Sequence, residues 1–152
     1  MYIEYFRVRE NAKAPRRANP SDAGMDLAFA PETGEALVIE PGDSVICATG
    51  LKFGVPHGYM LQIMNRSSIA AKRSLVVGAC VVDAGYDGEV FINLHNIGQH
   101  KRVIEPGDRI AQAVLVPVLC VNPIEYEYDD LYSRVRVDSN RGDGALGSTD
   151  EL

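Results

Sequence analysis

The chain has no tryptophan, only 7% aromatic residues, and no apolar run approaching 18 residues. Without such a run a membrane-spanning helix is not expected. No segment near Met1 has the charged-then-apolar layout of an export signal. Positive charge is also scarce: 15 Lys and Arg stand against 21 Asp and Glu, a net charge of −6. A protein that coats nucleic acid carries the opposite balance, so no nucleic-acid partner is expected. Cysteines number three, Cys47, Cys80 and Cys120, with no CxxC pair. A disulfide framework is therefore not expected, and a reducing, cytoplasmic setting is. His57, His95 and His100 show neither HxxxH nor HExxH spacing, which argues against a structural zinc site. The G-x-S-x-G elbow, the Walker A loop and the GxGxxG fingerprint are all missing, so any nucleotide is held in some other way.

What is present suits one ordinary domain. The 152 residues are 46% hydrophobic and 24% charged, and a chain of this size buries about two-thirds of its unfolded surface. Fourteen Gly and eight Pro divide it into short segments. Residues 2–8, 36–39, 44–55, 59–64, 75–82, 89–96, 103–104 and 109–121 read as strands. In Glu89 to Asn96, Val90, Ile92 and Leu94 fall on one face and Glu89, Phe91, Asn93 and His95 on the other, the pattern of a half-buried strand. Glu-Pro-Gly-Asp occurs at residues 40–43 and 105–108. Pro at the second turn position and Gly at the third make each a type II turn into a strand. Helix signal is poor: Ser67 to Arg73 gives about two turns with Ser67 or Ser68 as N-cap, and Asp129 to Val135 a short second helix. Many short strands at turn spacing predict an all-β sandwich, jelly roll or barrel.

Five segments combine glycines with unusually placed polar residues. Ser21 to Leu27 sets Asp26 before a buried run. Asn65 to Ala70 puts Arg66, Ser67 and Ser68 at a helical start, where free N–H groups favour an anion. Gly78 to Gly88 reads as a hairpin bracketing Asp83 and Tyr86. Gly107 to Gln112 opens a strand with Asp108, Arg109 and Gln112 among apolar residues. Arg141 to Thr149 lies in a polar, Gly-rich tail beginning at Ser139. Each has an ordinary explanation when taken alone: a turn, a helix cap, a strand-face amide, a frayed terminus.

In this order, and together, the five resemble the motifs of the homotrimeric dUTP pyrophosphatases. The strings Arg66-Ser67-Ser68, Val81-Val82-Asp83-Ala84-Gly85-Tyr86, Gly107-Asp108-Arg109-Ile110-Ala111-Gln112 and Arg141-Gly142 through Gly147-Ser148-Thr149 carry the likeness. The resemblance implies a dUTPase-like jelly roll or β-barrel over residues 1–138 and a mobile arm over residues 139–152. It implies a homotrimer and hydrolysis of dUTP to dUMP and pyrophosphate, which keeps uracil out of DNA and supplies dUMP for thymidylate synthesis. It implies Mg²⁺, held through the triphosphate and waters rather than by side chains.

Residue by residue, the likeness makes Asp83 the base that orients and deprotonates water. Tyr86 lies against the deoxyribose and leaves no room for a 2′-hydroxyl. The backbone around Gly78, Cys80 and Val82, with Phe91, meets the uracil edge. Arg66, Ser67, Ser68 and Gln112 hold phosphates. Asp26 stands behind them, acting through water or an arginine. Arg141, Leu146, Gly147, Ser148 and Thr149 close over the nucleotide. This chain departs from the family pattern at Leu146, where an aromatic is usual, at Cys80, where glycine is usual, and at Asn65 and Asp87, to which no role falls. A dCTP deaminase of the same fold family is one alternative. Its catalytic glutamate follows the hairpin within a strand, which here reads Ile92-Asn93-Leu94-His95-Asn96. A non-enzymatic binding protein that uses the nucleotide as a switch is the other; intact Asp83 and Gln112 argue against it.

Overall fold

The computed structural model describes residues 2–127 and residue 135. The backbone divides into two units, Met1–Cys120 and Val121–Leu152. Strands and helix all belong to the first unit. The described residues of the second carry neither. Of the expected second helix only Val135 is described, and the 138/139 boundary and the arm lie outside the described residues.

The first unit is mostly β. In chain order it runs β1 (Glu4–Arg7), β2 (Met25–Ala28), β3 (Leu37–Ile39), β4 (Ser44–Ala48), β5 (Leu51–Gly54), β6 (Tyr59–Met64), α1 (Ser67–Arg73), β7 (Leu75–Val77), β8 (Val81–Val82), β9 (Phe91–Asn96), β10 (Arg102–Ile104) and β11 (Arg109–Pro117). A four-stranded sheet has the order β2-β11-β6-β8 and a three-stranded sheet the order β4-β9-β7. β1 pairs with β5, and β3 with β10. Every pairing is antiparallel.

Both larger sheets turn apolar side chains into one core. Leu27, Leu61, Ile110, Leu75, Ile92 and Leu94 are fully buried within it, each contributing about 1.5–3 kcal/mol. The alternation expected for residues 89–96 holds: Val90, Ile92 and Leu94 are buried, while Phe91 is 48% exposed. Both Glu-Pro-Gly-Asp segments are turns. Asp43 N–H donates to the Glu40 carbonyl at 3.1 Å and Asp108 N–H to that of Glu105 at 2.9 Å. Gly42 and Gly107 sit at φ 83° and 90°, a region most L-residues avoid.

The expected strand over 44–55 is broken after Ala48, because Thr49 and Gly50 bond outside any ladder. Thr49 Oγ1 donates to the Val90 carbonyl and Gly50 N–H to Glu89 Oε1 at 2.7 Å. β11 shifts register between Arg109 and Ala111. The extra residue of this bulge buries Ile110 and Ala111 in succession and re-aims the side chains on its C-terminal side. Gln112 thus stands opposite Asp26 on one side and Met64 on the other. That row across the sheet places Asp26 and Gln112 at the mouth of a single cleft.

Candidate active site

Four segments converge on that cleft. β2 supplies Asp26, β11 supplies Gln112, the end of β6 leads into Arg66, and α1 begins with Ser67 and Ser68. Arg66 Nε donates to Asp26 Oδ1 at 2.7 Å, and Arg109 Nη1 lies 3.3 Å from Asp26 Oδ2. A second arm of Arg66 donates to the Arg109 carbonyl at 2.8 Å. One carboxylate, only 14% exposed, thus orients two guanidinium groups through charge-assisted hydrogen bonds. Gln112 Nε2 donates to the Asn65 carbonyl at 2.8 Å. Its amide lies over Gly24, where a Cβ would fall 2.1 Å from Gln112 Oε1. The cleft, about 200 Å³, is lined by Gly24, Asp26, Arg66, Ser67, Ser68 and Gln112 with Ala18 and Asp22.

The N-cap of α1 is Arg66, not either serine. Arg66 is extended, at φ −87° and ψ 132°, and its side chain makes no capping bond; the guanidinium is committed to Asp26. Ser67 and Ser68 therefore fall in the exposed first turn, where helical N–H groups have no intrahelical acceptor. Guanidinium, amide, hydroxyl and N–H donors facing one cleft suit a phosphate chain.

The second cluster lies around Asp83, and the expected hairpin is a crossover instead. β7 ends in the three-stranded sheet, while β8 pairs with β6 in the four-stranded one. Gly78 N–H donates to the Asn93 carbonyl at 2.9 Å, and the Cys80 carbonyl accepts from Ile63 N–H at 2.8 Å. The passage runs tight against β9: a Cβ at Gly78 would lie 2.2 Å from Asn93 Oδ1 and 2.4 Å from His95 Nε2. Cys80 adopts no left-handed conformation, so its β-carbon is accommodated where the family usually has glycine. β8 is the terminal strand of its sheet, and an edge presents backbone donors and acceptors to a further partner.

After β8 the chain turns sharply, with Tyr86 N–H donating to the Asp83 carbonyl at 3.2 Å and Gly85 at φ 86°. Asp83 is left exposed at the turn. It shares a cleft of about 360 Å³ with Val81, Val82, Tyr86, Glu89, Val90 and Phe91. Glu89 closes its floor. Arg9 binds the Glu89 carboxylate with two bonds of 2.6 Å. Burial acts to raise the Glu89 carboxyl, but the Arg9 hydrogen bond and charge, with Gly50 N–H, hold it below the ordinary range.

The candidates thus fall into two groups on one chain: Asp26, Arg66, Ser67, Ser68 and Gln112 at the first cleft, Val82, Asp83, Tyr86 and Phe91 at the second. The two clefts share no lining residue. Gly78 and Cys80 lie in the crossover that leads into the second. Arg141, Leu146, Gly147, Ser148 and Thr149 lie outside the described residues. A further cleft of about 550 Å³ beside Phe29 and Ile46 holds only Phe91 of the candidates. Cys47 offers no alternative nucleophile, since burial pushes its thiol up to about 12.

Sequence reasoning missed Gly24, Arg109 and Asn65. Asn65, left without a role, touches the site twice: its carbonyl receives Gln112, and its Oδ1 accepts from Val77 N–H at 2.7 Å. The signal available was its place directly before Arg66.

Comparison with known proteins gives a consistent result. The family model described as dUTPase matches residues 10–149. A deoxyuridine 5′-triphosphate nucleotidohydrolase of Hydrogenobaculum sp. is 35% identical over 145 residues, covering 94% of this chain and 94% of its own. One from Solanum lycopersicum is 39% identical over 155 residues, covering 97% of this chain and 82% of its own. Among solved structures, the dUTPase of Staphylococcus bacteriophage 80alpha with dUPNHPP superposes with a TM-score of 0.82 at 26% identity, covering 97% of each chain. A mutant dUTPase from phage phi11 of S. aureus, whose structure details the coordination of a structural Mg(II) ion, gives 0.76 at 25% identity, covering 84% of this chain and 98% of its own.

Proposed function

This chain belongs to the dUTPase family, and we propose that it hydrolyses dUTP to dUMP and pyrophosphate, with Asp83 as the base and the triphosphate held by Arg66, Ser67, Ser68 and Gln112. The observation that carries the residue assignment is the separation of donors from base. One cleft presents guanidinium, amide and hydroxyl donors suited to phosphate oxygens, with its Asp26 and Asp22 carboxylates already hydrogen-bonded, and the other presents one exposed carboxylate beside an aromatic ring and a strand edge.

In this reading Asp83 accepts a proton from the attacking water, a new P–O bond forms, and the α,β-bridge breaks to release pyrophosphate. Phosphoryl transfer needs in-line positioning and charge neutralisation more than a strong nucleophile. Arg66, held by Asp26, meets charge on the phosphate chain. The free edge of β8 pairs with the uracil edge. Cytosine presents mismatched donors and acceptors there, and buried unpaired polar groups cost about 1–3 kcal/mol each.

The donors at the first cleft are guanidinium, amide and hydroxyl groups, and its buried carboxylate is already bound to two guanidinium groups. That set grips phosphate oxygens rather than a bare cation. It fits Mg²⁺ carried by the triphosphate and water, as this ion prefers. So bound, the ion supplies neutralisation of the phosphate charge.

Two clefts without a shared residue also fit a homotrimer, in which each site combines the first cleft of one subunit with the Asp83 cleft of another around a closed ring. The arm, through Arg141, Leu146 and Gly147 to Thr149, completes the phosphate contacts. Three free thiols, Cys47, Cys80 and Cys120, suit the cytoplasm, where nucleotide pools are maintained.

The test is product release across dUTP, UTP, dCTP and dTTP. Pyrophosphate from dUTP, with UTP, dCTP and dTTP far poorer, is expected. Ammonia from dCTP, or tight binding with neither product, overturns the reading.

A further inference from the structure

We propose that Gly88 is a positioning residue: its bare Cα is the seat of the Tyr86 ring, and the seat sets how strictly a 2′-hydroxyl is refused. This rests on the proposed function, in which Tyr86 faces the sugar. A Cβ built on Gly88 would lie 2.2 Å from Tyr86 Oη and 2.3 Å from Cζ. The end of the ring therefore occupies the space of the missing side chain. Conformational need does not explain this glycine, because Gly88 is not among the residues with positive φ; alanine suits its backbone.

The rest of the seat is rigid. Tyr86 Oη donates to the Glu89 carbonyl at 3.0 Å. Glu89 is fixed through its own side chain by Arg9 and by Gly50 N–H. The next residue is pinned by Val90 N–H donating to the Leu51 carbonyl at 2.8 Å. The ring end lies over bare Gly88 and is tied to a carbonyl whose own residue is anchored, while 47% of Tyr86 stays exposed.

One methyl group at position 88 must push the ring end by on the order of 1 Å to restore ordinary contact. Moved into the cleft, the ring crowds deoxyribose and slows dUTP. Moved away, it admits the 2′-hydroxyl and speeds UTP. Displacement away from the sugar narrows the preference, because a methyl-sized misfit is worth about tenfold or more in discrimination.

The experiment measures kcat/KM for dUTP and UTP with the full chain carrying Gly88→Ala, Tyr86→Ala, or both. Gly88→Ala is expected to lower the dUTP/UTP ratio about tenfold and to leave the melting temperature nearly unchanged. In the Tyr86→Ala background it should change the ratio no further, since the ring through which it acts is gone. If Tyr86→Ala narrows the ratio and Gly88→Ala does not, the seat is disproved while the Tyr86 reading stands. If neither narrows it, the Tyr86 reading falls and the seat with it. A Gly88→Ala effect that persists without the ring also overturns the proposal. Should Gly88→Ala fail to fold, Tyr86→Phe probes the same seat by deleting the hydroxyl bond to Glu89. A severalfold narrower ratio supports the seat, and an unchanged one removes it.

Discussion

The two clefts are held in opposite ways. At the first, charged side chains fix one another: Asp26 grips Arg66 and Arg109, and Gln112 is tied to the Asn65 carbonyl. At the second, the backbone does the positioning. A crossover between sheets and a tight turn deliver Asp83, which remains exposed. The difference reflects the work assigned to each. Groups that hold a polyanion are cationic before it arrives, and an arginine kept in place needs a counter-charge in the empty cleft. A carboxylate that takes a proton from water needs access, so its position has to come from the chain path. Under the proposed roles, damage at the second cleft acts on the reaction directly, and damage at the first acts through the aim of Arg66.

The largest effect is expected at the exposed carboxylate. Asp83→Asn keeps the shape but cannot take the proton, so turnover should fall by roughly 100-fold or more while binding of a non-hydrolysable analogue persists. Retention of more than about a tenth of the rate removes Asp83 from the base role.

At the braced cleft the effect should be smaller and of another kind. Asp26→Asn leaves Arg66 without its charged acceptor. A hydrogen bond between charged groups is worth about 1.5–3 kcal/mol, so affinity for the analogue should drop about tenfold or somewhat more. Calorimetry showing unchanged or tighter binding would mean that Arg66 needs no brace, and the contrast between the clefts would fail.

A milder test asks whether the clefts meet between subunits. Asp83→Asn with an intact tail and a truncation ending at Ser139 should each be inactive alone. Refolded together in equal amounts, they draw independently around the ring, so about a quarter of full activity should return if base and arm come from different chains. No recovery, with mixed trimers confirmed by native mass spectrometry, sinks the shared site.

The same contrast explains what could be read from sequence. Turn chemistry and period two are local, so both Glu-Pro-Gly-Asp turns, the bounds of α1 and the inward face of β9 were legible. β2 was not: Met25, Leu27 and Ala28 are buried with only Asp26 between them, too short a stretch to show alternation. The β7-to-β8 crossover looked like a hairpin because its glycines and Asp are turn residues. Its true partners, β9 and β6, are settled by pairing across sheets. Asp26, Asp83 and Gln112 drew roles from their motifs, whereas Arg109, inside one motif, and Asn65, beside another, drew none. Their contacts reach 83 and 47 residues along the chain, and no local pattern announces such distant partners.

The smallest effect concerns stability beneath the second cleft. Burial works to raise the Glu89 carboxyl, and the Arg9 hydrogen bond and charge overcome it, so in the folded protein this carboxyl lies below its ordinary value. A carboxyl depressed on folding stabilises the native state above its unfolded pKa, about 4.3 for glutamate, and that contribution is lost as pH falls through the folded value. Glu89→Gln deletes the charge yet keeps an acceptor for Gly50 N–H. At neutral pH it should cost about 2 kcal/mol, a fall in melting temperature of several degrees for a domain of this size, roughly 2–4 °C per kcal/mol. As pH falls through the folded value the wild type loses the charge-dependent part of that contribution, so the two melting curves should draw together. Protein concentration must be held fixed, because the proposed trimer would melt by mass action. Curves that stay parallel down to pH 3 would show that the Arg9–Glu89 pair contributes shape rather than charge. The floor of the Asp83 cleft would then owe its rigidity to the bonds made by Gly50 N–H, Val90 N–H and the Thr49 hydroxyl.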